Sequence, residues 1–241
     1  VRNYTLNLFN HAVAKTLIED DAVQLSRWLL NDKAYAGRGK DSAAFRQACL
    51  IYLENVFAYT MVQAEGQTDP ETTGVLGISK ARARWGGDPI GNPILVFSHE
   101  AKAHVLVRQN SLGVSGRYKT PLVEMEFFDS GYDYAIPAAM PQWEQAEKKL
   151  FSTAKPLASL KQLACTHLSD VVTDARRKPE RNFVEVPSEL RSMFVSAFRS
   201  PTVVGAYASD FWLAVTELDQ GASGALYQVL GEEWQYKGQK Q

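Results

Sequence analysis

Apolar residues recur at helical spacing along most of this chain. Leu6, Phe9, Val13 and Leu17 step by three, four and four, which sets one apolar stripe on an opening helix. Asp20 and Asp21 offer an N-cap for a second helix with Ala22, Leu25, Trp28 and Leu29 on one face. KAYAGRGKDS reads as a loop from its glycines and charges, and Ser42 can cap a long third helix. Its buried stripe would be Phe45, Cys49, Tyr52, Val56 and Tyr59. Three helices, each with a single apolar face to hide, predict a small bundle over residues 1–65.

The polar stretch AEGQTDPETTG, Ala64 to Gly74, is the expected linker, and the pattern changes beyond it. Ile94 to Phe97 follows a Gly-Asn-Pro turn and reads as a strand; His104 to Val107 reads as its partner or as a helix end. Thr120 can cap a helix with Pro121 in its first position, ending at the loop DSGYDYAIPAAMPQ. After Pro156, Leu157, Leu160, Ala164, Leu168 and Val171 share a face, and Arg176, Arg177 and Lys178 suit that helix's negative end. Ser188 opens a helix with Leu190, Phe194 and Phe198, and Pro201 one with Val204, Phe211, Trp212 and Val215. Gly221 and Gly224 precede a last amphipathic stretch with Leu226, Val229, Leu230 and Trp234. The expected fold is mainly α: a helical bundle (1–65), a small basic, partly β, winged-helix-like middle segment (74–135), and a helical region (140–241), either separate or joined to the rest.

Composition fits a globular protein: 241 residues, 45% hydrophobic and 22% charged, too apolar for disorder as the default. No apolar run approaches the ~20 residues that span a bilayer, and the first twenty residues lack a signal-peptide pattern. Cys49 and Cys165 lie far apart in helical stretches and read as small apolar side chains, so a reducing cytoplasm is the expected compartment. Charge is where the sequence departs from the ordinary. Residues 76–120 hold seven basic groups against two acidic ones, net +5 in a chain of net −1.

Two arrangements of that segment would meet nucleic acid. Leu112-Gly113-Val114-Ser115 resembles the turn of a helix-turn-helix, with Ser115 capping a helix that starts with Arg117, Tyr118 and Lys119. Gly116 and Pro121 interrupt that helix, and ARARWGGDPIGNP would be the hairpin of a winged variant. Alternatively, an extended segment would point Lys80, Arg82 and Arg84 to one side, with Trp85 stacking on a base. The plain reading of these residues is a solvated basic edge with Trp85 in the core. Arg108 would add a phosphate contact, and ARRKPER (residues 175–181) would extend the same face or merely end a helix.

Other chemistry finds little footing. His99 and His104 are five apart, so on a helix they would sit about 140° apart and could not share a metal. A metal-dependent nuclease needs an acidic cluster with Glu-x-Lys; Glu147-Lys148-Lys149 has no acidic partner upstream, and Asp88, Glu124 and Glu126 make no such motif. No nucleophile elbow or phosphate loop is present, so no catalytic residue, metal or cofactor is expected. Tyr132 and Tyr134 make DSGYDYAIP either an exposed aromatic patch or a loop tucked over the core. The leading expectation is a non-catalytic DNA- or RNA-binding protein, with bacterial defence or genome maintenance as its setting. An adaptor or assembly subunit of a larger protein complex comes second, and a metal-dependent nuclease third.

Overall fold

The computed structural model describes residues 1–35, 37–152 and 155–238, with side chains of the last helix described through Leu230 and at Glu232. The expected apolar position Trp234 lies outside those side chains, as does Ala36 within the expected loop.

The helix α3 (Ala43–Glu65) is the axis of the fold because it has no polar face: every residue from Ala48 to Val62 is buried. A helix enclosed on all sides must be surrounded by other elements. Here α1 (Arg2–Glu19), α4 (Ile78–Trp85), α10 (Ser188–Phe198) and the strand β1 (Ile94–Val96) pack around it. Ser42 caps α3 as its sequence implies, its Oγ accepting the Phe45 N–H at 3.1 Å. All five residues of the expected stripe are buried, but so are Glu54, Asn55 and Thr60 on other faces, and α1 likewise buries Asn7, Asn10 and His11. The expectation of one apolar face per helix therefore fails for α1 and α3. Phe9 of α1 and Phe57 of α3 meet Phe194 and Phe198 of α10 with ring centroids 5.7–6.0 Å apart, an aromatic cluster that ties the first helices to the later ones.

The second expected helix shrinks to α2 (Arg27–Leu30), with Trp28 exposed. Asp20 caps only a turn, accepting from Ala22 N, because the following chain is drawn away: Ser26 N donates to Val172 O of α9 (Pro156–Thr173) at 2.8 Å. The polar stretch 64–74 is stitched to an early and a late part of the chain. The Arg2 guanidinium donates to the carbonyls of Glu71 and Thr73, and Glu71 N donates to Arg199 O.

The central segment is helical where it is most basic. It holds α4 and three short helices, α5 (Gln109–Leu112), α6 (Val114–Arg117) and α7 (Lys119–Glu124). The strand β1 forms as expected, but its antiparallel partner is β2 (Glu180–Asn182), with Leu95 opposite Arg181. His104 to Val107 is neither strand nor helix end; it follows a 3₁₀ turn at Ala101–Ala103.

A helix that starts inside the expected loop, α8 (Ala139–Ala146), runs into a π turn over Glu147–Phe151. Pro156 and Pro201 both open helices, α9 and α11 (Pro201–Val215), as their fixed φ favours. All five residues of the α9 stripe are buried. One buried apolar cluster runs from Leu6 to Trp212 and includes residues of all three expected segments. The last helix, α12 (Gly221–Gly238), leaves Leu226, Tyr227, Val229 and Leu230 more than half exposed. Among the described residues no helix is long and apolar enough to cross a membrane.

Candidate nucleic-acid interface

A buried carboxylate organises the basic segment. Glu54 of α3 accepts the Ser115 backbone N–H at 2.6 Å, the Ser115 hydroxyl, and the Gln109 amide at 3.0 Å. Gln109 Oε1 in turn accepts from Val105 N and Leu106 N, and Asn55 donates to Ala103 O at 2.8 Å. Residues 103–115 are thus fastened to α3 through side chains rather than through a sheet or a long helix. Burial pushes the Glu54 carboxyl above its ordinary range, and the bonds from Ser115 and Gln109 offset only part of that. The packing leaves no room at two glycines: a Cβ at Gly113 would lie 2.6 Å from Gln109 O, and one at Gly116 would run into the Asn110 carbonyl.

This architecture overturns the helix-turn-helix expectation. Ser115 turns inward to Glu54 instead of capping a recognition helix, and α5 and α6 are four residues each. ARARWGGDPIGNP is no wing either, because its first five residues belong to α4 and are not a hairpin. Nor is Lys80 to Arg84 extended. On a helix Arg84 falls about 40° from Lys80 and Arg82 about 160° from it, so the three do not share a side. The Ala-rich alternation KARAR imitates a strand, but its residues are good helix formers.

The basic residues divide by what they already hold. Arg82 makes a bidentate pair with Glu65 and reaches Thr72. Arg84 donates to His104 O at 2.6 Å. Lys119 donates to Ser130 O and sits 4.0 Å from the Tyr132 ring, and its partial burial lowers its pKa. Trp85 packs edge-on against Phe183 at 5.2 Å and beside Tyr59, so it serves the core. Tyr118 stands edge-on to Tyr4 and accepts from Asn3 at 3.1 Å. Lys80, Arg108 and Arg117 are exposed and have no ion-pair partner among the described residues.

The β1–β2 pair brings a second basic stretch to the first. Phe97 N donates to Pro179 O and Phe183 N to Pro93 O, which ties 175–181 to the central segment. Arg176, Arg177 and Lys178 are exposed there; Arg176 and Arg177 lean on Asp174, and Arg177 also on Glu185. Only the tertiary pairing makes these two stretches neighbours.

Tyr132 and Tyr134 are buried, so their loop is tucked over the core. Tyr134 OH meets His11 Nδ1 at 2.8 Å, and His11 stacks on Phe128 with centroids 4.2 Å apart. Burial holds the His11 imidazole neutral, with its pKa down to about 3. Sequence reasoning missed this pair and the Glu54 network. Their signal was present as exceptions: an acid inside LIYLENVFAYT and a histidine inside an apolar helix. Both cysteines are free, and burial raises the Cys165 thiol to about 11. His99 and His104 meet through a ring-to-carbonyl contact, and no group of three or more metal-ligand side chains gathers among the described residues. No protein-family model, curated protein or solved structure matches this chain.

Proposed function

We propose that the protein binds the phosphate backbone of DNA or RNA, without catalysis of its own, through a flank built from α4, the 104–118 segment and the 175–181 turn. One observation carries this reading: the short β1–β2 pair fastens the Arg176-Arg177-Lys178 turn to the net-positive central segment. Of the cations on this flank, Lys80, Arg108, Arg117 and Lys178 are exposed with neither an ion-pair nor a side-chain hydrogen-bond partner among the described residues, which leaves them for phosphates. Arg82, Arg84, Lys119 and Trp85 support the fold beneath them. The test is binding to labelled single- and double-stranded DNA and RNA across a salt series. Affinity should fall steeply with salt, with a log–log slope of about −0.9 per phosphate contact on duplex DNA. The triple reversal Lys80→Glu, Arg117→Glu, Lys178→Glu should abolish binding with the fold intact; unchanged affinity would sink the reading.

A second reading, an assembly subunit, is favoured by α12. Four large apolar side chains exposed on one helix exceed the scattered apolar residues a free surface ordinarily carries. Failure to bind nucleic acid at about 50 mM salt, where phosphate contacts are strongest, would move the weight to it.

A further inference from the structure

Where α9 ends and the chain returns through β2, a cleft of about 600 Å³ opens, with Arg176, Arg177 and Arg181 on its wall and His167 at its base. Asp174 draws the three guanidinium groups together, at 3.1 Å from Arg176 Nε, 3.5 Å from Arg177 Nε and 3.3 Å from Arg181 Nη2. Glu185 takes Nη1 of Arg177 at 2.6 Å. The floor is rigid: Arg181 is buried and also donates to the carbonyls of Glu180 and Asp170, and the His167 ring is fixed by the buried Tyr52 hydroxyl at 3.1 Å.

The way the arginines are held decides what they can do. Asp174 engages Arg176 and Arg177 side-on through Nε, so both Nη groups of Arg176 and Nη2 of Arg177 have no hydrogen-bond partner among the described residues. The Arg176 side chain is 90% exposed. Carboxylates hold one edge of each guanidinium group, and the donors left over suit an oxyanion, which accepts charge-assisted hydrogen bonds from arginine.

We propose that this cleft binds an oxyanion of the phosphate class, a diphosphate or a phosphomonoester, on the free Nη groups of Arg176 and Arg177. Its volume suits a phosphate with a further group attached. Asp170, Asp174 and Glu185 match the three arginines in number, so selection is by free donors rather than by net charge. Asp170 is exposed and has no ion-pair partner among the described residues, so its charge opposes an incoming anion.

Titration with inorganic pyrophosphate at low ionic strength, followed by calorimetry, tests the site. Saturable binding is expected; Arg176→Ala with Arg177→Ala should weaken it about tenfold or more, and Asp170→Asn should tighten it several-fold. A 5′-phosphorylated oligonucleotide preferred over its 5′-hydroxyl counterpart would assign the site to a nucleic-acid end. Pyrophosphate binding with no such preference would assign it to a free small phosphate. Lys80→Glu, which should weaken backbone binding, should leave pyrophosphate untouched, so the two proposals fail separately. No saturable heat, wild-type affinity in the double alanine variant, or weaker binding by Asp170→Asn would overturn the site.

Discussion

Glu54 and Ser115, 61 residues apart in the chain, meet inside the protein, where one carboxylate oxygen takes both the Ser115 backbone N–H and its hydroxyl. The basic segment is therefore shaped from within by an acid on the central helix. Glu54→Ala strands these two donors and one N–H of the Gln109 amide, whose other N–H stays on Asn55, and it should cost about 1–3 kcal/mol. Urea denaturation would measure the loss, and hydrogen exchange should show the amides of residues 103–115 losing protection before those of α3. Equal loss of protection in both would mean that Glu54 is merely part of the global core.

Gly116 faces the Asn110 carbonyl with no space for a methyl group. Gly116→Ala should destabilise the fold by about 1–3 kcal/mol through overpacking. A chemical denaturation midpoint within error of wild type would show that the α5–α6 junction relaxes freely.

Stability should fall in acid through two histidines. His11 and His167 are held neutral by burial, with pKa values down to about 3 and about 4, and Arg181 adds to the effect on His167. Both folded values lie below the ordinary 6.5, so the unfolded chain takes up protons that the folded chain refuses. The stabilisation is complete above pH about 6.5 and is lost as pH drops toward the folded values, by at most about 1.4 kcal/mol per pH unit for each group. Urea midpoints between pH 7.5 and 4.5 on an about 0.5-unit grid would trace it. His167→Gln should flatten the slope; an unchanged slope would place the acid sensitivity elsewhere.

These groups show where the sequence was legible. Ser42, Pro156 and Pro201 announce helix starts because capping and fixed φ are local effects, and the structure has helices at all three. The α9 stripe was equally plain, because a helix with one buried face writes its period into the chain. The all-round burial of α3 was not, since Glu54 and Asn55 are satisfied by partners distant in sequence, Glu54 by Ser115 and Asn55 by Ala103. Register between β1 and β2 joins residues more than eighty positions apart, and no local pattern encodes that. The same pairing ties the 175–181 stretch to the central segment, so the candidate interface was visible as charge but not as shape.

The division of the basic residues yields a contrast between two of them. Arg82 is paired with Glu65 at the surface, and Lys80 has no ion-pair partner among the described residues. Arg82→Ala should cost about 0.2–1 kcal/mol of stability, the range for exposed pairs, and leave the salt slope of nucleic-acid binding intact. Lys80→Ala should leave stability unchanged and reduce that slope by about 0.9. The opposite pattern would mean that the Arg82–Glu65 pair opens on binding and that the exposed lysine is incidental.

The last helix poses a question that stability and association answer differently. Tyr227 of α12 lines an open apolar hollow of about 410 Å³ together with Tyr4, Pro121, Met125, Trp212 and Leu218. Leu226 and Leu230 are one helical turn apart and more than half exposed. Exposed side chains add little to folding, so Leu226→Ser with Leu230→Ser should change stability by no more than about 0.5 kcal/mol per site. Phe194→Ala in the aromatic cluster, by comparison, should cost about 3–5 kcal/mol. On the assembly reading the apolar pair is a contact surface, so wild-type protein should self-associate with rising concentration in sedimentation velocity, and the double serine variant should not. Identical sedimentation of the two proteins would remove self-association as the reason for these leucines.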